Sequence, residues 1–141
     1  MEKIGGVIVT HGQLANEFLK AAEHVVGDLD HIASVSIGWN DDVEQSQKEI
    51  KTAIEKVSNK KGVLLLTDMF GGTPTNISAM FIKKNEVEVI TGVNLPMVIK
   101  IASQNNDLTL SELAEAVEAQ GKQSIYRAEE LLTPQKLKKD G

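Results

Sequence analysis

His11, Asp68 and the pair Gly71-Gly72 are the residues of this 141-residue chain whose types and neighbours can do chemistry. An imidazole is a nucleophile and proton carrier near neutral pH. A carboxylate bonded to one ring nitrogen fixes its tautomer and frees the other nitrogen to react. His11 and Asp68 each lie at the end of an unbroken apolar run, GVIVTHG over residues 6–12 and GVLLLTDMFGGTPTN over residues 62–76. Glycines let the backbone approach a ligand closely, and the N–H groups that open the next helix suit a phosphate. Thr73 adds a hydroxyl donor at that point, and Thr10 stands beside His11. A histidine, an orienting aspartate and a phosphate cradle point together to phosphoryl transfer through a phosphohistidine. His11 and Asp68 are the expected catalytic pair, with Thr10, Gly71, Gly72 and Thr73 around the phosphate.

Each residue also has a plainer reading. A lone histidine at a strand end is more often structural, Asp68 can cap a loop, and Thr10 can satisfy backbone groups. Thr73-Pro74 is explained as a helix start, with Thr as N-cap and Pro at the first helical position. Met69 and Phe70 suit core packing as well as a partner contact. For Trp39, packing on a neighbouring helix is the plainer expectation and an interface anchor the sharper one. His24 and His31 lack metal-ligand spacing to His11, so no metal site is expected. The chain has no GxxxxGK[ST] loop and no GxGxxG after its first strand, so no nucleotide cofactor is implied. A phosphoaspartate receiver with Asp68 as acceptor wants an acidic pair where Thr10-His11 stands.

These residues need strand ends and helix starts to hold them, and the hydrophobic pattern supplies both. Residues 4–9 and 63–66 are apolar without alternation, as in parallel strands buried on both faces. Residues 31–37 and 86–91 read as two further strands. Leu14, Phe18, Ala22 and Val25 recur at helical spacing up to Gly27, and Val43, Gln47, Ile50, Ile54 and Val57 form a second stripe. Capping boxes are expected from Asp41 to Glu44 and from Thr109 to Glu112, the last helix ending at Gly121. A further helix follows Thr73-Pro74 through Ile77, Met80 and Phe81, another covers residues 97–103, and residues 123–127 suit a short fifth strand. After that strand the charged tail is expected to fray. Four strand-helix units with short loops predict an open, mainly parallel α/β sheet of four strands with helices on both faces, in a single domain over residues 1–141. Ligands in such sheets bind at the carboxyl ends of the strands, where Thr10-His11, Thr67-Asp68 and residues 91–94 fall.

Composition narrows the class. A hydrophobic fraction of 41% with 25% charged residues is that of a globular chain. No apolar run approaches the roughly 20 residues of a membrane span, and residues 1–3 lead straight into a strand rather than a signal peptide, so a cytoplasmic protein is expected. The absence of cysteine excludes disulfides, thiolate nucleophiles and cysteine metal sites. A net charge of −5 argues against a nucleic-acid partner.

Taken together, GVIVTHGQLANEFLKAAEHVVG, GVLLLTDMFGGTPTN and EVITGVNLPMVIK resemble the IIA component of the mannose-family sugar phosphotransferase system, over nearly the whole chain. The resemblance implies that His11 accepts a phosphoryl group on Nε2 from the phosphocarrier HPr and passes it to a IIB component, serving a membrane IIC/IID complex indirectly during sugar uptake. It implies that Asp68 bonds Nδ1 of His11 and that Thr73 and the adjacent backbone hold the phosphoryl oxygens. It also implies a homodimer in which the last strand, here residues 123–127 and antiparallel to the others, crosses to the partner. Two alternatives stand beside it. One is the related subunit serving dihydroxyacetone kinase, whose loop after the aspartate is Gly-Ser-Ala-like, unlike residues 70–74. The other is a non-catalytic anion-binding regulatory module.

Overall fold

The structure is a computed structural model and describes residues 2–40, 42–105 and 107–132. Strand β1 (Gly5–His11) leads to α1 (Leu14–Val26), β2 (Ile32–Ile37), α2 (Val43–Val57) and β3 (Val63–Thr67). Then come α3 (Thr73–Ala79), β4 (Val87–Thr91), α4 (Leu95–Ala102) and α5 (Leu110–Gln123). The four strands form one sheet in the order β2-β1-β3-β4, with every pair parallel. This is the open parallel α/β sheet expected from the sequence.

β1 and β3 lie inside the sheet, and neither keeps a solvent face, which is why both read as continuous apolar runs. Successive side chains go to opposite cores. Ile4, Ile8, Leu64 and Leu66 pack with Val98 and Ile101 of α4 and Leu113 and Val117 of α5. Val7, Val9, Val63 and Leu65 pack with Ile50 and Val57 of α2 and Ile77 of α3. Gln104 ties the start of β1 to the end of α4. Its amide oxygen accepts from the Ile4 N–H at 2.7 Å, and its amide nitrogen donates to the Ile4 carbonyl at 3.0 Å. β4 is an edge strand and is half-buried along its length.

The helix faces differ from the sequence reading. α1 buries Ala15 and Ala22, with Phe18 and Leu19 against the core, while Leu14 is 50% and Val25 62% exposed. Residues 15, 18, 19 and 22 form the tighter stripe, because small alanines let the helix lie close to the sheet. α2 likewise buries Ser46, Ile50, Ala53 and Val57 and leaves Val43 exposed. It is capped by Asp42, which accepts from the Glu44 N–H at 3.3 Å. The capping box expected from Asp41 lies outside the described residues; of the tail expected to fray, residues 128–132 are helical and the rest lies outside the described residues. The box at the head of α5 is present, with the Thr109 N–H donating to Glu112 at 2.9 Å and the Glu112 N–H to the Thr109 hydroxyl at 3.1 Å.

Three boundaries are corrected. Gly72, not Thr73, is the N-cap of α3, so Thr73 is its first helical residue. α3 itself closes at Ala79. Gly121 does not end α5, because it lies inside the helix where a Cβ would come within 2.6 Å of the Met97 sulfur. Its bare Cα is a packing requirement between α4 and α5. With Gln123 closing α5, residues 125–127 carry no regular structure and residues 128–132 are helical, so the fifth strand is not part of this chain's own sheet.

At Gly5 a Cβ would run into the Val57 carbonyl at the end of α2. Gly5→Ala is therefore expected to lower stability by about 1–3 kcal/mol, read from the urea midpoint. Val25→Ser, at an exposed position of α1, is expected to change it by less than about 0.5 kcal/mol. The opposite order would restore the helix face read from the sequence.

Candidate active site

Parallel register brings the two candidate residues together. Val9 of β1 stands opposite Thr67 of β3, so Asp68, one residue beyond β3, arrives beside the end of β1. The His11 Nδ1 lies 2.8 Å from Asp68 Oδ2, and the His11 backbone N–H donates to the same oxygen at 3.0 Å. The Met69 N–H donates to Oδ1 at 3.1 Å. An ionised carboxylate only accepts, so the ring hydrogen is assigned to Nδ1 and the Nε2 lone pair is left free. Both side chains are largely but not wholly covered, 20% and 13% exposed. Burial pushes the Asp68 carboxyl up, but the hydrogen bonds from the His11 backbone and ring, with the ring's charge, pull it further down, and the net shift is below the ordinary value.

The glycine turn meets the other edge of the ring. A Cβ on Gly72 would lie 2.7 Å from His11 Cε1 and 3.2 Å from Nε2, so only glycine lets the turn reach the free nitrogen. Gly71 has φ 88°, a left-handed conformation that glycine adopts without strain. Thr73 follows, exposed at the first position of α3. The turn is held from below by Thr75, which the sequence reading did not single out. Its hydroxyl donates to the Met69 carbonyl at 2.6 Å and so accepts from the Thr67 hydroxyl, also at 2.6 Å. Threonines at a strand end and in the next helix's first turn were the available signal, but only the fold joins them.

Four side chains fall elsewhere than expected. Thr10 is fully buried, and its hydroxyl accepts from the Ala15 N–H at 2.7 Å, so it fixes the start of α1 instead of facing a phosphate. Strand alternation explains this, since Thr10 and His11 point to opposite faces of the sheet. Trp39 does not pack on a helix. It stacks on His11, with ring centroids 5.2 Å apart and planes 25° apart. Phe70 is 81% exposed and Met69 is also outside the core.

Residues 5–118 match the family model described as the PTS system fructose IIA component. The chain belongs to this family of sugar phosphotransferase-system IIA components. It is 31% identical over 121 residues to the mannose-specific EIIAB component of Escherichia coli strain K12, across 84% of this chain and 38% of that protein. The chain thus spans less than half the length of that relative. The fructose-specific EIIA component of Bacillus subtilis is 27% identical over 130 residues, covering 92% of this chain and 89% of its own. The solved mannose/sorbose specific IIA subunit from Enterococcus faecalis superposes with a TM-score of 0.79 at 27% identity, over 89% of this chain and 94% of that one.

Several other polar groups of this IIA chain serve the frame. At the end of β4, the Gly92 and Val93 N–H groups both donate to the Thr67 carbonyl at 2.9 Å. Asn94 caps α4 by accepting from the Met97 N–H at 3.2 Å and donates to the Gly121 carbonyl at 3.1 Å. His31 lies 3.3 Å from the Ile101 carbonyl, far along the sheet from His11, and burial lowers its pKa against the opposing pull of that carbonyl. Among the described residues, no group of three His, Cys, Asp or Glu is placed to hold a metal ion, and no helix is long and apolar enough to cross a membrane.

Because the folded Asp68 pKa lies below its unfolded value, the stability this group contributes is complete above the ordinary carboxylate range. It disappears as pH falls through the lower folded value. Asp68→Asn is expected to destabilise the IIA chain by about 1–2 kcal/mol at neutral pH. In urea titrations repeated at successively lower pH, the gap to the native chain should close. A gap that stays constant into acid would refute the linkage.

Proposed function

We propose that this IIA chain accepts a phosphoryl group from phospho-HPr on Nε2 of His11 and passes it to a histidine of a IIB component during sugar uptake. The observation that carries the reading is the 2.8 Å contact between His11 Nδ1 and Asp68, which leaves Nε2 as the free nucleophilic atom beside Gly72. In the transfer, the Nε2 lone pair forms a bond to phosphorus as the donor's nitrogen–phosphorus bond breaks, and the donor nitrogen keeps the electron pair. No proton need leave His11. The Nδ1 hydrogen stays on its bond to Asp68, the ring becomes positively charged, and the adjacent carboxylate offsets that charge.

The turn supplies the complementary site. Gly71 and Gly72 bring the backbone close to the transferred group, and Thr73 with the first N–H groups of α3 receives the phosphoryl oxygens. Asp68 suits the role of orienter better than that of phosphate acceptor, because it already takes three N–H bonds and the end of β1 carries no acidic partner for a magnesium ion. The exposed Met69 and Phe70 suit contact with a protein partner at the rim. The homodimer by exchange of residues 123–127 rests on family resemblance, with exposed Ile125 and Tyr126 as the apolar part of that segment.

Incubation with phosphoenolpyruvate, enzyme I and HPr is expected to label the chain at an acid-labile, base-stable site, and His11→Ala to abolish the label. Asp68→Asn is expected to slow labelling roughly 10²-fold with the fold intact by circular dichroism. A label that persists in His11→Ala, or a chain that binds phosphate reversibly and gains no covalent mass, would overturn the reading.

A further inference from the structure

We propose that Trp39 is a positioning residue for His11 that favours the phosphorylated, positively charged imidazole and so raises the share of phosphoryl groups resident on the IIA chain. The inference rests on the reading that His11 carries the phosphoryl group, and deepens it by naming what sets the resting level of that carrier.

The location follows from register. Ile37, the last residue of β2, is the partner of His11, so the loop leaving β2 passes the imidazole within two residues. Trp39 is 82% exposed and contributes to neither core. Burial therefore does not account for its place, and the ring contact it does make is with His11. A centroid distance of 5.2 Å falls in the range of offset stacking. Asp68 restrains the ring at Nδ1 and Gly72 lies against its Cε1–Nε2 edge. Trp39 takes a face of the ring, which neither of the others does.

Charge gives the contact a direction. Before transfer the ring is neutral, with hydrogen on Nδ1; after transfer it holds that hydrogen and a bond from Nε2 to phosphorus, and is cationic. The face of an indole attracts a cation more than any other side-chain ring does. Stacking thus stabilises the phosphorylated state relative to the free one, and at an exposed site the effect corresponds to roughly a two- to fivefold shift in equilibrium.

The test uses the intact chain, equilibrated with HPr, enzyme I and a limiting amount of phosphoenolpyruvate, and measures the ratio of phosphorylated IIA chain to phosphorylated HPr. Trp39→Ala is expected to lower that ratio roughly two- to fivefold, and Trp39→Phe to recover most of it. Trp39 is the sole tryptophan, so its emission is a second readout. It is expected to be quenched when the ring becomes phosphorylated and cationic, and His11→Gln should remove that change. A phosphorylation ratio unmoved by Trp39→Ala, or an emission that phosphorylation leaves unchanged, overturns the role of Trp39 alone. Absence of label on His11 in the native chain overturns the transfer reading and this one with it.

Discussion

The hydrogen bond between His11 Nδ1 and Asp68 is the interaction on which the arrangement turns. It joins the ends of two adjacent parallel strands, and exists because Val9 pairs with Thr67. A slip of one residue would turn every side chain of a strand to the opposite face. The register is guarded by burial: the odd and even residues of β1 and β3 fit two different apolar cores, so no neighbouring register satisfies both. Much of the chain's hydrophobic content thus serves to hold two strand ends within hydrogen-bond reach.

A second layer of polar contacts stiffens the approach to Nε2. The Thr67 hydroxyl, the Thr75 hydroxyl and the Met69 carbonyl form a buried chain beneath the glycine turn. The Thr67 carbonyl accepts two N–H groups from the start of the β4–α4 connection. One threonine at the end of β3 therefore ties together the loops after β3 and β4. Buried hydroxyls without such partners would cost stability, so the network fixes the turn in one conformation. Above it lie exposed Met69, Phe70 and Trp39, an apolar rim around a polar centre. That combination suits a reactive group delivered on the surface of another protein.

The open parallel sheet and the pairing of His11 with Asp68 were legible in the sequence. Continuous apolar runs signal parallel strands buried on both faces, and the punctuation after each run marks the carboxyl ends where chemistry collects. The errors were local. Leu14 and Val25 fit a helical stripe but face outward, because Ala15 and Ala22 seat α1 more closely on the sheet. Gly121 looked like a helix stop, yet it is the point where α5 must approach Met97. Both concern how closely two elements pack, which periodicity along one element does not encode.

By itself the sequence determined which residues could react, the order of strands and helices along the chain, and the glycine pair near His11. Those depend on residue type and on near neighbours along the chain. Only the tertiary structure decided that Thr10 turns inward to hold α1, that Thr75 braces the glycine turn, and that Trp39 lies on the imidazole. Each of these depends on strand alternation or register between segments far apart in the chain, and such distances become short only once the sheet has assembled.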